Sequence, residues 1–342
     1  KGYHVREETT AEENWQATSL DEAQGLEIGQ AVRTDEAGNY ERNRKGEEER
    51  LAKIEREKAE IHQKNEKLFA QAIEAAKEAD AVIFVGGMNH MIECEGYDRS
   101  DMELPYEQDI LIEELLKVRK DIVLTFVGGS PVEMPWRDQA QAILWSYYAG
   151  METGNAFAKI IFGEVNPSGR LPETFPAKYE DCVTAKNGQF GVWGKITLEE
   201  GLYYGYRYYD RQRITPAFCF GHGLSYTNFE YSGLTLKAEK GKNVKLTFTV
   251  KNTGKRAGIE TAQVYIAPIA PQEDRPDKEL KAFTRVELGA GRSKKVSLIL
   301  KQEDFAYFDV HLHKFITDAG DYEIVVGASC EDIRLRGIAT LS

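Results

Sequence analysis

The strongest constraint on this chain is a short apolar run that stops on glycines. Residues 81–86 read AVIFVG and are followed at once by Gly87. A run this short and this apolar marks a strand covered on both faces, as in a parallel sheet. Residues 122–127 (IVLTFV) repeat the pattern and again end in Gly-Gly, and residues 142–147 (AILWSY) supply a third run. Between the first two, residues 106–118 (YEQDILIEELLKV) read as an amphipathic helix introduced by Pro105, and residues 153–162 as another. Strand, helix, strand, strand, helix within about 80 residues predicts an open α/β sheet with crossover connections.

The flanking segments have different characters. Residues 1–45 are polar, with one short strand candidate at 3–5. Residues 46–79 are rich in Glu, Lys and Ala, and Ile54, Ile61, Leu68 and Ile73 recur at helical intervals. We read 1–79 as a polar insertion or linker carrying a long charged helix. Residues 80–180 form part of the α/β domain, and 181–223 an aromatic-rich interdomain linker. From 224 to 342 the pattern is alternation: 244–251, 261–267, 281–288, 295–300 and 321–327 alternate apolar and polar residues between Gly and Asn turns such as Asn252-Thr253-Gly254. This predicts an antiparallel β-sandwich of about 100 residues.

The formal net charge of −12 repels phosphate backbones and argues against a nucleic-acid partner. No stretch approaches the roughly 20 apolar residues of a membrane helix, so no membrane partner is expected. Cys94, Cys182, Cys219 and Cys330 form no CxxC pair and sit beside no metal-spaced histidines, so no metal is expected. Scattered cysteines, an acidic balance and the absence of a signal segment together read as free thiols in a cytoplasmic protein.

The densest polar cluster directly follows the first strand. It runs GGMNHMIECEGYDR over residues 86–99 and holds His90, Glu93, Glu95, Asp98 and Arg99. In open α/β sheets, ligands bind beyond the carboxyl ends of the strands. Retaining glycoside hydrolysis needs one acid to protonate the leaving oxygen and a second carboxylate about 5–5.5 Å away across the sugar. Glu93 and Glu95, two residues apart, would project side by side on an extended strand, so they read as one catalytic acid plus one sugar-binding or orienting group. The alternative is a polar loop whose carboxylates pair with Arg99 and whose His90 caps a neighbour. Ser130 lacks the GxSxG context of a nucleophile elbow. Gly86-Gly87 and Gly128-Gly129 fit neither GxGxxG nor the P-loop, so no nucleotide is indicated. Trp136 and Trp145 read as core.

ECEGYDR at 93–99, followed by ELPYEQ at 103–108, resembles the active-site loop of glycoside hydrolase family 3 β-glucosidases. Further family-like segments follow in order: GSPVEMPW (129–136), WSYYAGMETGNA (145–156), NPSGRLP (166–172), GLYYGYRYYD (201–210), FGHGLSY (220–226) and VKNTG (250–254). The resemblance covers residues 80–342 and implies an α/β-sandwich domain followed by a fibronectin type III-like domain. It also implies a retaining exo-β-glycosidase acting on terminal β-linked glucose in a β-glucoside or oligosaccharide, with no cofactor. It makes Glu95 the acid/base, with Glu93 the alternative. His90, Glu93, Asp98 and Arg99 become substrate-binding or loop-orienting residues. The family's nucleophile is an aspartate on a (β/α)8 barrel, and no such motif is found here. We therefore expect a catalytically incomplete chain that needs a complementary barrel fragment or subunit, with homo-oligomerisation left open. The rival readings are a β-xylosidase of the same family and a non-catalytic carbohydrate-binding or assembly module.

Overall fold

The computed structural model describes residues 61–93, 99, 101–188, 190, 197–271 and 273–342, with positions 52 and 56 besides. The strand expected at 3–5 lies outside them. The described residues fall into two compact units. The first runs to Phe157 and takes in Pro176–Leu198; the second comprises Ala158–Phe175 and Glu199–Ser342. In place of a boundary at 180 and a linker to 223, residues 158–175 fold with the second unit, and 181–223 is divided at Leu198.

In the first unit the three apolar runs become β1 (Val82–Gly87), β2 (Ile122–Val127) and β3 (Ala142–Trp145), parallel and in the order β1-β2-β3. Their carboxyl ends therefore share one edge. On one face Phe84, Leu124 and Phe126 are buried, and Phe126 stacks on the fully buried Trp136 with centroids 5.5 Å apart. Helix α2 (Gln108–Val118) buries Leu111, Ile112, Leu115 and Leu116, its apolar stripe. Ile83 and Val85 point the other way on β1 and remain 44% and 64% exposed.

Residues 61–78 are helical and are labelled α1, which two sets of contacts fasten. On it the fully buried Asn65 donates to the Tyr106 carbonyl at 3.0 Å and to Glu107 Oε2 at 3.2 Å. Those contacts hold two successive left-handed residues, Tyr106 (φ 62°) and Glu107 (φ 61°), which lead into α2. Beyond its end, Arg119 donates to the carbonyls of Ala76, Ala79 and Asp80. Two further short helices are α3 (Thr153–Ile161) and α4 (Val183–Lys186).

The second unit is the expected antiparallel sandwich. One sheet orders β12 (Ile333–Leu341), β11 (Gly320–Gly327), β6 (Gly258–Pro268) and β7 (Glu279–Leu288). The other orders β4 (Phe229–Glu239), β5 (Asn243–Asn252) and β8 (Ser293–Leu300). A small hairpin joins β9 (Tyr307–Asp309) and β10 (Lys314–Ile316). Alternation places Val244, Leu246, Phe248 and Val250 of β5 in one core with Val264 and Ile266 of β6 and Ile324 and Val326 of β11. The opposite face of β6 and β11 is also covered. There Tyr265 and Val325 pack with Cys219, Cys330, Phe220 and Tyr206, the last on helix α5 (Tyr206–Gln212).

The NPSGRLP segment is a strap on this sandwich. Asn166 donates to the Ala257 carbonyl at 2.9 Å and accepts from Ser225 and the Tyr226 N–H. Arg170 forms a buried ion pair with Glu260 at 2.7 Å, and the Tyr231 hydroxyl donates to the same carboxylate at 2.8 Å.

Candidate functional site

The loops that leave β1, β2 and β3 meet at the carboxyl edge of the sheet, where ligand sites of open α/β folds lie. The exit from β1 depends on two glycines. At Gly87 (φ 121°) a Cβ would stand 2.0 Å from the Val127 carbonyl, and at Gly86 it would stand 2.2 Å from Gln108 Oε1. Gln108 uses that space. Its buried amide accepts from the Gly87 N–H at 2.8 Å and donates to the Gly87 carbonyl at 2.9 Å, closing the end of β1 as a neighbouring strand would.

The chain then makes a helical turn, not an extended strand. The Glu93 N–H donates to the Asn89 carbonyl at 2.9 Å, and Asn89 Oδ1 accepts from the Met91 N–H at 3.0 Å. Asn89 Nδ2 also donates to the Tyr106 hydroxyl at 3.0 Å. His90 lies half-buried within this turn.

Glu93 is the centre of the described site. Its Oε2 accepts from the Gly129 N–H at 2.7 Å and from the Tyr148 hydroxyl at 2.6 Å, and its Oε1 accepts from the Ser130 hydroxyl. Gly129 and Ser130 follow β2, and Tyr148 follows β3. One carboxylate therefore ties together the loops of all three strands. Partial burial pushes the Glu93 carboxyl up; the donors from Ser130, Tyr148 and Gly129, with the charge of Arg99, outweigh it and hold the group below the usual carboxylate range. The phenol of Tyr148 is pushed upward by burial and by the carboxylate it serves. Gly129 is needed for this fit, because a Cβ there would come within 2.8 Å of the Tyr148 ring.

Arg99 donates to the Pro131 carbonyl at 2.7 Å, a second tie between the first loop and the second. Glu95 and Asp98 lie outside the described residues. The structure thus brings Glu93 and Arg99 to one loop junction, with His90 on the same turn. Trp136, expected in the core, is fully buried and donates through Nε1 to Asp109 at 2.7 Å. Burial raises the Asp109 carboxyl to about 6.

Sequence reasoning missed three site residues: Gln108, Ser130 as a donor to Glu93, and Tyr148. All three lay inside the motifs already noted, but a motif carries no information about which side chains meet. Among the described residues no group of three or more His, Cys, Asp or Glu side chains is placed to hold a metal.

Residues 8–226 match the glycosyl hydrolase family 3 C-terminal domain, and residues 260–330 a fibronectin type III-like domain. The family match thus begins well before residue 80, where the sequence resemblance began. The chain is 40% identical over 275 residues to thermostable β-glucosidase B of Acetivibrio thermocellus, covering 80% of this chain and 36% of that protein. It is 39% identical over 277 residues to a probable β-glucosidase I of Aspergillus oryzae, covering 78% and 33%. Among solved structures, the β-glucosidase of Kluyveromyces marxianus in complex with glucose superposes with a TM-score of 0.78 at 35% identity, covering 81% of this chain and 34% of that one. β-Glucosidase 3B of Thermotoga neapolitana in complex with glucose gives 0.72 at 36% identity, covering 80% and 39%. The chain spans about a third of the length of the curated relatives it matches. Over both its units, it belongs to glycosyl hydrolase family 3, as the C-terminal domain of that family followed by a fibronectin type III-like domain.

Proposed function

We propose that this chain supplies the general acid/base of a retaining β-glucosidase, and that Glu95 is that group. The observation that carries the choice is the state of Glu93. A proton donor must reach its substrate protonated, so its carboxyl has to titrate towards neutrality. Glu93 is held on the opposite side, ionised by three donors and an arginine charge. This fits an orienting residue and leaves Glu95, two positions on, as the carboxyl able to approach the sugar. Gly96, which follows it, lets a ring come close to the backbone. Glu95 donates a proton to the departing glycosidic oxygen as an aspartate on a (β/α)8 barrel attacks the anomeric carbon. It then removes a proton from the water that releases the glycosyl-enzyme. The β-glucosidase names of the relatives support glucose as the terminal sugar.

The test is azide rescue in the enzyme assembled with its barrel. Glu95→Ala should lose turnover of substrates with poor leaving groups, accumulate glycosyl-enzyme from activated aryl β-glucosides, and regain turnover with azide. Glu93→Ala should lose activity without azide rescue. Rescue of Glu93→Ala and not of Glu95→Ala reverses the assignment.

A further inference from the structure

Two cysteines distant in sequence meet on the outer face of the four-stranded sheet. Cys219 lies on the segment that follows α5, and Cys330 on the turn between β11 and β12. The Cys330 N–H donates at 3.1 Å to the carbonyl of Phe220, the residue that follows Cys219. Both side chains are buried, at 6% and 3% exposure, in one cluster with Tyr265 and Val325. Both thiols are free, and Cys219 Sγ donates to Ser329 Oγ at 3.3 Å. We propose that Cys219 and Cys330 are a peroxide-sensitive dithiol, an oxidation site that closes reversibly into an intramolecular disulfide.

The electrostatics assign the two roles. The hydrogen bond from Cys330 lowers the Cys219 thiol; burial opposes it, and Ser329 and the Glu331 N–H assist, bringing the group to about 7. Cys330 is pushed upward, because its proton is held on the Cys219 sulfur. Cys219, the thiol with the polar neighbour Ser329, serves as the nucleophile and Cys330 as the resolving thiol. The Cys219 thiolate attacks hydrogen peroxide, the O–O bond breaks, and sulfenic acid and hydroxide form. The Cys330 sulfur then attacks the sulfenic sulfur, the S–O bond breaks and water leaves. The net reaction takes two thiols and one peroxide to one disulfide and two waters. Cys182 is the internal contrast, since burial raises its thiol to about 11. The disulfide would close a loop that contains strands β4 to β11 and tie α5's segment to the β11–β12 turn, removing chain entropy from the unfolded state.

The experiment treats the full chain with hydrogen peroxide near neutral pH, followed by non-reducing peptide mapping. A linked peptide pair joining Cys219 to Cys330 is expected, lighter than the reduced pair by about 2 Da, the two hydrogens lost. The melting temperature should rise on oxidation and return with dithiothreitol. In Cys330→Ser, a sulfenic acid at Cys219 should be trapped by dimedone, and Cys182→Ser should cross-link as the wild type does. The proposal falls if Cys219 and Cys330 stay reduced in the wild type while other thiols react, or if they are recovered unlinked as sulfinic acids. The wild-type map decides this whether or not the variants fold.

Discussion

The phenol of Tyr148 donates a 2.6 Å hydrogen bond to Glu93 Oε2, so a residue just past β3 holds a carboxylate on the loop after β1. Gly129 N–H shares the same oxygen, and the Ser130 hydroxyl takes the other. In such a network the loss of one member changes the value of the rest. Tyr148→Phe and Glu93→Gln should each destabilise the first unit, and the double variant should cost less than their sum, with a coupling of about 1 kcal/mol after allowance for partial exposure. Urea unfolding of the four proteins measures it. Strictly additive costs would show that the two residues do not act together.

Asp109 provides a pH test. Burial raises its carboxyl from 3.8 to about 6, although Trp136 and the Leu104 N–H both donate to it. The folded state therefore binds this proton more tightly than the unfolded state. Its contribution is fully present below the unfolded pKa and is lost as pH rises through the folded one. Relative to Asp109→Asn, the wild type should lose about 2–3 kcal/mol between roughly pH 4 and pH 6 and change little above that. Denaturation across this range reads the difference. Parallel pH curves for the two proteins would contradict it.

These contacts also explain what the sequence made legible. Three short apolar runs ending at Gly87, Gly128 and near Ser146 specified the parallel sheet and its carboxyl edge, although Ile83 and Val85 leave the second face of β1 exposed. Alternation in β5, β6, β7, β8 and β11 specified the sandwich. Strands β4 and β12 were not legible. Gly233 with the register shift between Ser232 and Thr235 interrupts one. Gly337 sits between Arg334, Arg336 and Ile338 in the other, where a Cβ would stand 3.0 Å from Leu236. In space these glycines act as a bulge and a close approach. The site was legible as a cluster of residue types on one loop. That Glu93 is committed to Ser130 and Tyr148 was not, since those partners come from two other strands.

The buried pair Arg170–Glu260 makes a stability prediction for the strap. Burial raises the Glu260 carboxyl despite the adjacent guanidinium. Arg170→Met should leave a buried carboxylate without its cation and cost about 3–5 kcal/mol, and adding Glu260→Gln should recover a large part of that loss. Thermal or urea unfolding of the sandwich provides the measurement. A loss below 1 kcal/mol for the single variant would mean that water reaches Glu260.

The last prediction concerns catalysis by the chain on its own. A double displacement needs two carboxylates about 5–5.5 Å apart, one on each side of the anomeric carbon. Glu93 has both oxygens engaged, by Gly129 and Tyr148 on one and Ser130 on the other, so it is not free to attack a sugar. Glu95, two residues along the sequence, is the group proposed for acid/base work and would provide only one of the two. Purified chain incubated with p-nitrophenyl β-glucoside should therefore release no nitrophenol above the rate of Glu95→Ala. Addition of a family barrel domain bearing the nucleophile aspartate should start turnover, and a barrel with that aspartate changed to asparagine should not. Turnover by the chain before any addition would mean that a second carboxylate within it reaches the anomeric carbon, and the division of labour argued here would be wrong.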